Sequence, residues 1–229
     1  SKWYSKRKIK KTIKNLEINE RLEKYISDHS YDLHPIQKEI LKYNEKLGEI
    51  KKMQISISQA YFFQLFIKAN KIKKILEIGT FTGFSALSMG LVIPKEGNII
   101  CLDINKKTSE VAKNFFKKAN LEKKIEVIVS PAIESLKILI ENKKKFDMVF
   151  IDANKENYKN YYNLSLELIN QNGYIIIDNV LWKGEVADPN INDQLTSNIR
   201  EFNSFIRKDD RIEKTILPLG DGVTICRKI

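Results

Sequence analysis

The chain has 229 residues, 42% of them hydrophobic, and a formal net charge of +11. That length suits one α/β domain with an appendage, and no apolar run approaches the ~18–20 residues of a membrane span. Two isolated cysteines, Cys101 and Cys226, form neither a disulfide framework nor a zinc pattern, and read as small buried hydrophobes of a reducing cytosol.

In chain order, residues 1–52 carry no strand signal. Residues 1–14 are basic and lack the apolar stretch of a secretory signal, so a cytoplasmic location is expected. The densest basic run, residues 6–14, is placed in a first helix. Leu16, Ile18, Leu22, Tyr25 and Ile26 recur at helical spacing, as do Ile36, Ile40, Leu41, Tyr43 and Leu47, and Pro35 stands where a first-turn proline would. Amphipathic helices are therefore expected, packed on the main domain or on a partner chain. His29 and His34 read as structural or surface residues, and Phe62, Phe63 and Phe66 as helix core. The positive charge raises nucleic acid as a partner, but the lysines are spread along the whole chain, which does not favour it.

From Ile72 onward strand and helix signals alternate. Strand-like runs cover residues 75–79, 98–103, 125–129, 147–152 and 174–178, and helical stretches cover 83–92, 106–119, 132–142 and 156–170. Near-continuous apolar strands alternating with helices imply a parallel sheet covered on both faces. After a polar loop at 183–192 comes one more helix, then two final strand-like runs joined by Gly220-Asp221-Gly222, a tight-turn signal. The expected fold is α/β: a Rossmann-like, doubly wound, seven-stranded sheet, mostly parallel, with an antiparallel hairpin at the C-terminal edge and added N-terminal helices. Residues 1–52 form a helical extension and 53–229 the main domain.

Acidic residues stand at or near four strand ends: Glu77, Asp103, Asp152 and Asp178. One such acid is ordinary turn or cap chemistry. Four of them in an open α/β sheet converge on the crevice outside the carboxyl ends of the strands, where such folds bind ligands. The loop after the first strand, from Glu77 to Gly83, spaces its glycines G-x-x-x-G. It is neither G-x-G-x-x-G nor a P-loop, and suits a ligand without a pyrophosphate. Asp103, ending the second strand, can accept hydrogen bonds from ribose hydroxyls; a dinucleotide ligand stays open on this pattern alone.

Six segments taken together, E-I-G-T-F-T-G-F-S, L-D-I-N, S-P-A, F-I-D-A-N-K-E-N-Y, D-N-V-L-W-K-G and L-P-L-G-D-G-V-T-I-C-R-K, resemble the cation-dependent class I O-methyltransferases, the caffeoyl-CoA and catechol O-methyltransferase-like group that uses S-adenosylmethionine. The likeness runs from about Tyr25 to the C-terminus. It implies that Asp152, Asp178 and Asn179 ligate a divalent cation (Mg²⁺, or Ca²⁺ or Mn²⁺) and that Lys155 is catalytic. It also implies that Glu77, Gly79, Thr80, Phe81, Ser85, Asp103, Ile104, Ala132 and Asp152 line the cofactor site. Met53, Gln54, Ile55 and Ser56 would lie over the cofactor's methionine end, with Trp182 and Asp221 near the acceptor. The extension at 1–52 would supply lid or dimer contacts, making the chain a homodimer acting on a phenolic or catechol small molecule.

The chemistry explains such a residue set. Two carboxylates and an amide are hard oxygen ligands suited to Mg²⁺. A phenol, with a pKa near ~10, is mostly protonated at neutral pH; chelation by a vicinal diol would lower that pKa and aim one oxygen. Lys155 could then act as a general base or stabilise a phenolate as a cation. Two departures stand out: Gln59-Ala60 replaces a Glu-Gly common in the group, and the 187–205 segment, where acceptor recognition is expected, is polar and short, so caffeoyl-CoA is not carried over as substrate. Asn154, where relatives often carry an acid, has no physical account at this level. The alternatives are an RNA methyltransferase on the same fold and a non-catalytic S-adenosylmethionine-binding protein.

Overall fold

The computed structural model describes residues 16–30 and 32–229. The basic run at 6–14, and the helix expected there, lie outside the described residues. The chain divides into two units, one ending at Asp32 and the other spanning Leu33–Ile229. In the first, α1 (Glu20–Asp28) starts at Asn19, whose side chain accepts a hydrogen bond from Leu22 N. His29 stacks on Tyr25 at 3.9 Å and pairs its Nδ1 with the Tyr25 carbonyl. No helix among the described residues is long and apolar enough to cross a membrane.

The second unit is built on a seven-stranded sheet of order β3-β2-β1-β4-β5-β7-β6. The strands are β1 (Lys74–Ile78), β2 (Asn98–Asp103), β3 (Ile125–Val129), β4 (Phe146–Ile151), β5 (Ile169–Ile177), β6 (Ile212–Leu217) and β7 (Val223–Lys228). Strands β1 to β5 pair in parallel, and β7 pairs antiparallel with both β5 and β6. The expected doubly wound sheet with an antiparallel C-terminal edge is the sheet observed.

Successive strand side chains point to opposite faces, and the core splits accordingly. Ile75, Ile99, Cys101, Met148, Phe150 and Ile176 face one layer; Leu76, Ile78, Leu102, Val149, Ile151 and Ile177 face the other. The first layer holds α2 (Pro35–Glu45), α3 (Ile57–Ala69), α4 (Phe84–Gly90) and α5 (Lys106–Lys118); the second holds α6 (Ala132–Glu141), α7 (Tyr158–Leu168) and α8 (Gln194–Lys208). Phe63 of α3 meets Phe150 of β4 edge-to-face at 4.8 Å, both fully buried, and each such ring contributes roughly 1.5–3 kcal/mol by its burial. His34 caps α2, accepting from Ile36 N, so it is structural as expected.

One element departs from its expectation. A helix was expected over 156–170, but a 3₁₀ turn (Lys155–Asn157) precedes α7, and β5 begins at Ile169. Ile169 is buried and pairs with Phe146, after which the register shifts before Tyr174 meets Met148. Burying Ile169 beside β4 outweighs extending the helix by one more turn, and Asn172, at φ 64°, turns the chain within the irregular start of the strand.

The sheet order places the topological switch between β1 and β4. The ladder there continues one residue past the strands: Asp152 N donates to Ile78 O (2.9 Å) and Asp178 N to Ile151 O (3.0 Å), while Gly79 N donates to Leu102 O (2.8 Å). Gly79 adopts φ +90°, and a Cβ there would stand 1.9 Å from the Asp152 carbonyl oxygen. Gly79→Ala is therefore expected to destabilise the protein by about 3 kcal/mol, seen as a lower urea midpoint at unchanged m; an alanine variant of wild-type midpoint would contradict this close approach.

Candidate active site

The four acids end adjacent strands and fall into two groups along the row. Glu77 is the polar member of an otherwise apolar strand face and is fully buried. Its Oε2 accepts a hydrogen bond from Ser85 Oγ at 2.5 Å, while its Oε1 is buried without a partner, as is Thr80 Oγ1. Burial pushes the Glu77 carboxyl up to about 8, against the lowering effect of Ser85. Asp103 accepts Thr80 N (2.9 Å) and Phe81 N (3.0 Å) on Oδ2 and Asn105 N (2.8 Å) on Oδ1. It thus clamps the glycine loop, whose Phe81 sits at φ 52°.

The second group lies at the ends of β4 and β5. Lys155, on the 3₁₀ turn after β4, donates to Asp152 Oδ1 (3.1 Å), Asn179 Oδ1 (2.8 Å) and the Tyr158 hydroxyl (2.8 Å). Tyr158, fully buried, donates its hydroxyl hydrogen bond to the Asp178 backbone carbonyl (2.9 Å). Every N–H of the Lys155 ammonium is thereby directed, two of them at side chains of the proposed ligand set. Asp178 accepts Gln59 Nε2 (2.9 Å) and Asn179 N (2.8 Å) on Oδ1; among the described residues its Oδ2 receives no hydrogen bond. Burial, and then the charge of Asp152, raise Asp178 to about 7; burial also raises Asp152, opposed by Lys155. Asn179, at φ 62°, donates from Nδ2 to Asp221 Oδ2 (3.0 Å), and Asp221 Oδ1 accepts Lys183 N (2.6 Å).

Among the described residues no three His, Cys, Asp or Glu side chains gather to hold a metal, so a cation here must draw on an amide as well as carboxylates. The donor set fits one. Asp152, Asp178 and Asn179 are hard oxygen donors brought together by adjacent strand ends, and a positive charge, the Lys155 ammonium, already lies against Asp152 and Asn179. The cofactor residues fit too, since among the described residues the buried Glu77 Oε1 has no hydrogen-bond partner and so keeps its bonding capacity for a ligand.

The other expected residues make none of these bonds. Ile55 is buried in the core under α3, Met53 and Ile104 are exposed, and Ala132 opens α6. Trp182 and Lys183 form a left-handed turn, with the Lys183 Nζ 5.2 Å from the Trp182 ring centroid. Two contributors have no role assigned from sequence: Gln59, standing there only as a departure from the group, and Tyr158. The Ser56-x-x-Gln59 capping-box spacing was a signal for the first, and its place in the quoted D-A-N-K-E-N-Y stretch for the second. Asn154 also gains a role, since its Oδ1 accepts the Tyr161 hydroxyl at 2.5 Å and pins the turn to α7.

A family model described as O-methyltransferase matches residues 27–229. The probable caffeoyl-CoA O-methyltransferase 1 of Dictyostelium discoideum is 39% identical over 217 residues, covering 93% of this chain and 94% of that protein. Caffeoyl-CoA O-methyltransferase 2 of Populus trichocarpa is 35% identical, covering 94% and 92%. The crystal structure of an O-methyltransferase from Bacillus cereus in complex with SAH (S-adenosylhomocysteine) superposes with a TM-score of 0.83 at 30% identity, covering 91% of this chain and 97% of that one.

The buried Glu77 has a pH signature. Its carboxyl moves from an ordinary 4.5 to about 8 on folding. Between those values the folded chain holds a proton that the unfolded chain has released, so stability from this group is lost as pH rises through the window. In chelator and without cofactor, wild-type unfolding free energy is expected to fall from pH 5 to 8, with Glu77 contributing on the order of a few kcal/mol. Asp178 adds a slope of the same sign up to about pH 7. Glu77→Gln should flatten the profile measured by urea melts; superimposable profiles would contradict the assignment.

Proposed function

We propose, from the premise that the chain belongs to the O-methyltransferase family and is an S-adenosylmethionine-dependent enzyme, that it methylates a hydroxyl of a vicinal dihydroxy aromatic small molecule with the help of a divalent cation. The observation that carries this reading is the Lys155 ammonium held between Asp152 and Asn179, with Asp178 following the neighbouring strand. Carboxylate and amide oxygens already turned toward one positive charge suit a hard cation such as Mg²⁺.

On this reading Asp152, Asp178 and Asn179 hold the cation, and Glu77, Ser85, Asp103 and the glycine loop hold the cofactor. When bound, the cation would lower the pKa of an acceptor hydroxyl and the sulfonium would supply the methyl group. The chain's own part is position and charge. Gln59 and Asn179 N fix Asp178 by its Oδ1, and Asp221 holds the Asn179 amide so that Oδ1 stays toward Lys155. Lys155 handles the acceptor's proton at Nζ, steadied by the Tyr158 hydroxyl. The Trp182–Lys183 turn, tied to Asp221, bounds the acceptor side. The homodimer belongs to the same reading, and a monomeric mass in solution would remove it.

A panel of catechols assayed with Mg²⁺ and with chelator tests the proposal. Methylation is expected to fall at least ~100-fold in chelator and in Asp152→Ala; full activity in chelator would sink the cation. Lys155→Ala is expected to lose roughly 10²–10⁴-fold in kcat. Lys155→Arg separates two ways of handling the proton: arginine keeps the charge but cannot accept a proton, so a base role predicts the same loss as in Lys155→Ala, and substantial retained activity would assign Lys155 to charge stabilisation instead.

A further inference from the structure

Gln59 opens the first turn of α3 and is buried, with 2% of its surface exposed. Its amide spans two elements. Oε1 accepts Ser56 N (2.9 Å), while Nε2 donates to Asp178 Oδ1 (2.9 Å), 119 residues away in sequence. The amide's orientation follows from its neighbours: a backbone N–H on one side demands the oxygen, and a carboxylate on the other demands the NH₂. Gly220 closes the far side, where an added Cβ would stand 2.4 Å from Gln59 Oε1. The side chain therefore has one arrangement.

The segment that Gln59 holds is anchored again at its other end. Gln54 Oε1 accepts Asn44 Nδ2 (2.7 Å), and Asn44 Oδ1 accepts Thr82 Oγ1 (2.7 Å). Asn44 and Thr82 are fully or almost fully buried, and Thr82 belongs to the glycine loop clamped by Asp103. Side-chain hydrogen bonds thus run from the glycine loop through Asn44 to Gln54, the backbone of residues 54–56 carries the connection on, and Gln59 joins Ser56 to the Asp178 carboxylate. The buried members of this connection, Asn44, Thr82, Gln59 and Asp178, transmit position because each is costly to leave unpaired, while Gln54 and Ser56 are half-buried.

We propose that Gln59 is a positioning residue that couples cation binding at Asp178 to cofactor binding at the glycine loop. It rests on the cation reading above. A cation on Asp178 fixes the carboxylate that anchors Gln59, and so steadies the 54–59 segment in this arrangement; a cofactor in the glycine loop steadies the same segment from its other end. Each ligand then meets a site already held by the other, which makes the two bindings mutually favourable. By linkage the two affinities must change by one common factor.

The test is calorimetry on the full chain. S-adenosylhomocysteine, which lacks the sulfonium charge and its direct repulsion of a cation, is titrated with and without Mg²⁺, and Mg²⁺ is titrated with and without S-adenosylhomocysteine. In the wild type each is expected to tighten the other by the same factor, at least about fivefold. Gln59→Ala should weaken Mg²⁺ binding and bring the factor to about one. Gln54→Ala should bring the factor to about one while leaving Mg²⁺ binding in the absence of S-adenosylhomocysteine unchanged, because the Gln59–Asp178 bond is intact. Thermal melts identify folded variants, and if Gln59→Ala does not fold, Gln54→Ala decides. A wild-type factor of one, or a folded variant of either kind that keeps the wild-type factor, overturns the coupling alone. Absence of Mg²⁺ binding by the wild type overturns it together with the cation reading.

Discussion

Parallel strand pairing at the centre of the sheet is the constraint on which the rest depends. The β1–β4–β5 register carries the backbone ladder one residue beyond the strands, so that Asp152 and Asp178 follow directly from bonds to Ile78 and Ile151. Two carboxylates are thereby brought to adjacent strand ends, where burial raises both, and a like charge adds to it: Asp152 on Asp178, and Asp221 on Asp152. Nothing in the core relieves this. The relief comes from polar side chains brought to the same edge: Lys155 on Asp152, Gln59 and the Asn179 amide on Asp178. The sheet's stability lies in its two apolar layers, which leaves the edge free to hold groups that repel one another.

The turns that leave the strands show the same division of labour. Phe81, Asn179, Trp182 and Lys183 all adopt positive φ without being glycine, and all lie in the turns that follow β1 and β5. Such backbone is strained and persists only where its surroundings over-determine it. Asp103 supplies that for the glycine loop by accepting two of its N–H groups, and Asp221 supplies it for the Asn179–Lys183 turn by accepting from both ends. The carboxylates that resemble ligands by sequence pattern are thus also the fasteners of the loops around them.

What the amino-acid sequence discloses follows from how local each cause is. Alternating apolar strands and helices, with acids at Glu77, Asp103, Asp152 and Asp178, are local patterns, and the sheet and its row of acids follow from them. The start of β5 was not legible, because Ile169 leaves the helix for a partner, Phe146, that helical periodicity does not reveal. Gln59 was noticed only as a departure, since its partner lies on another strand end and the contact leaves no trace in spacing. Asn154 and Tyr161 are nearer neighbours, but the hydroxyl-to-amide bond that joins them depends on the 3₁₀ turn being followed by α7, a boundary that periodicity blurs.

The hairpin at the C-terminal edge closes the crevice as well as the sheet. Val180 and Leu181 donate backbone bonds to Gly222 and Asp221, and Asp221 holds the Asn179 amide. Strand β7 lies between β5 and β6, so it must slot into place after both have emerged. A ribosome delivers residues in order, and a chain that has reached Asn179 but not Asp221 has Lys155 to bond the amide oxygen yet lacks the acceptor for its NH₂. Completion of the site therefore waits on the hairpin turn at Asp221, forty-two residues after the Asn179 amide that it holds.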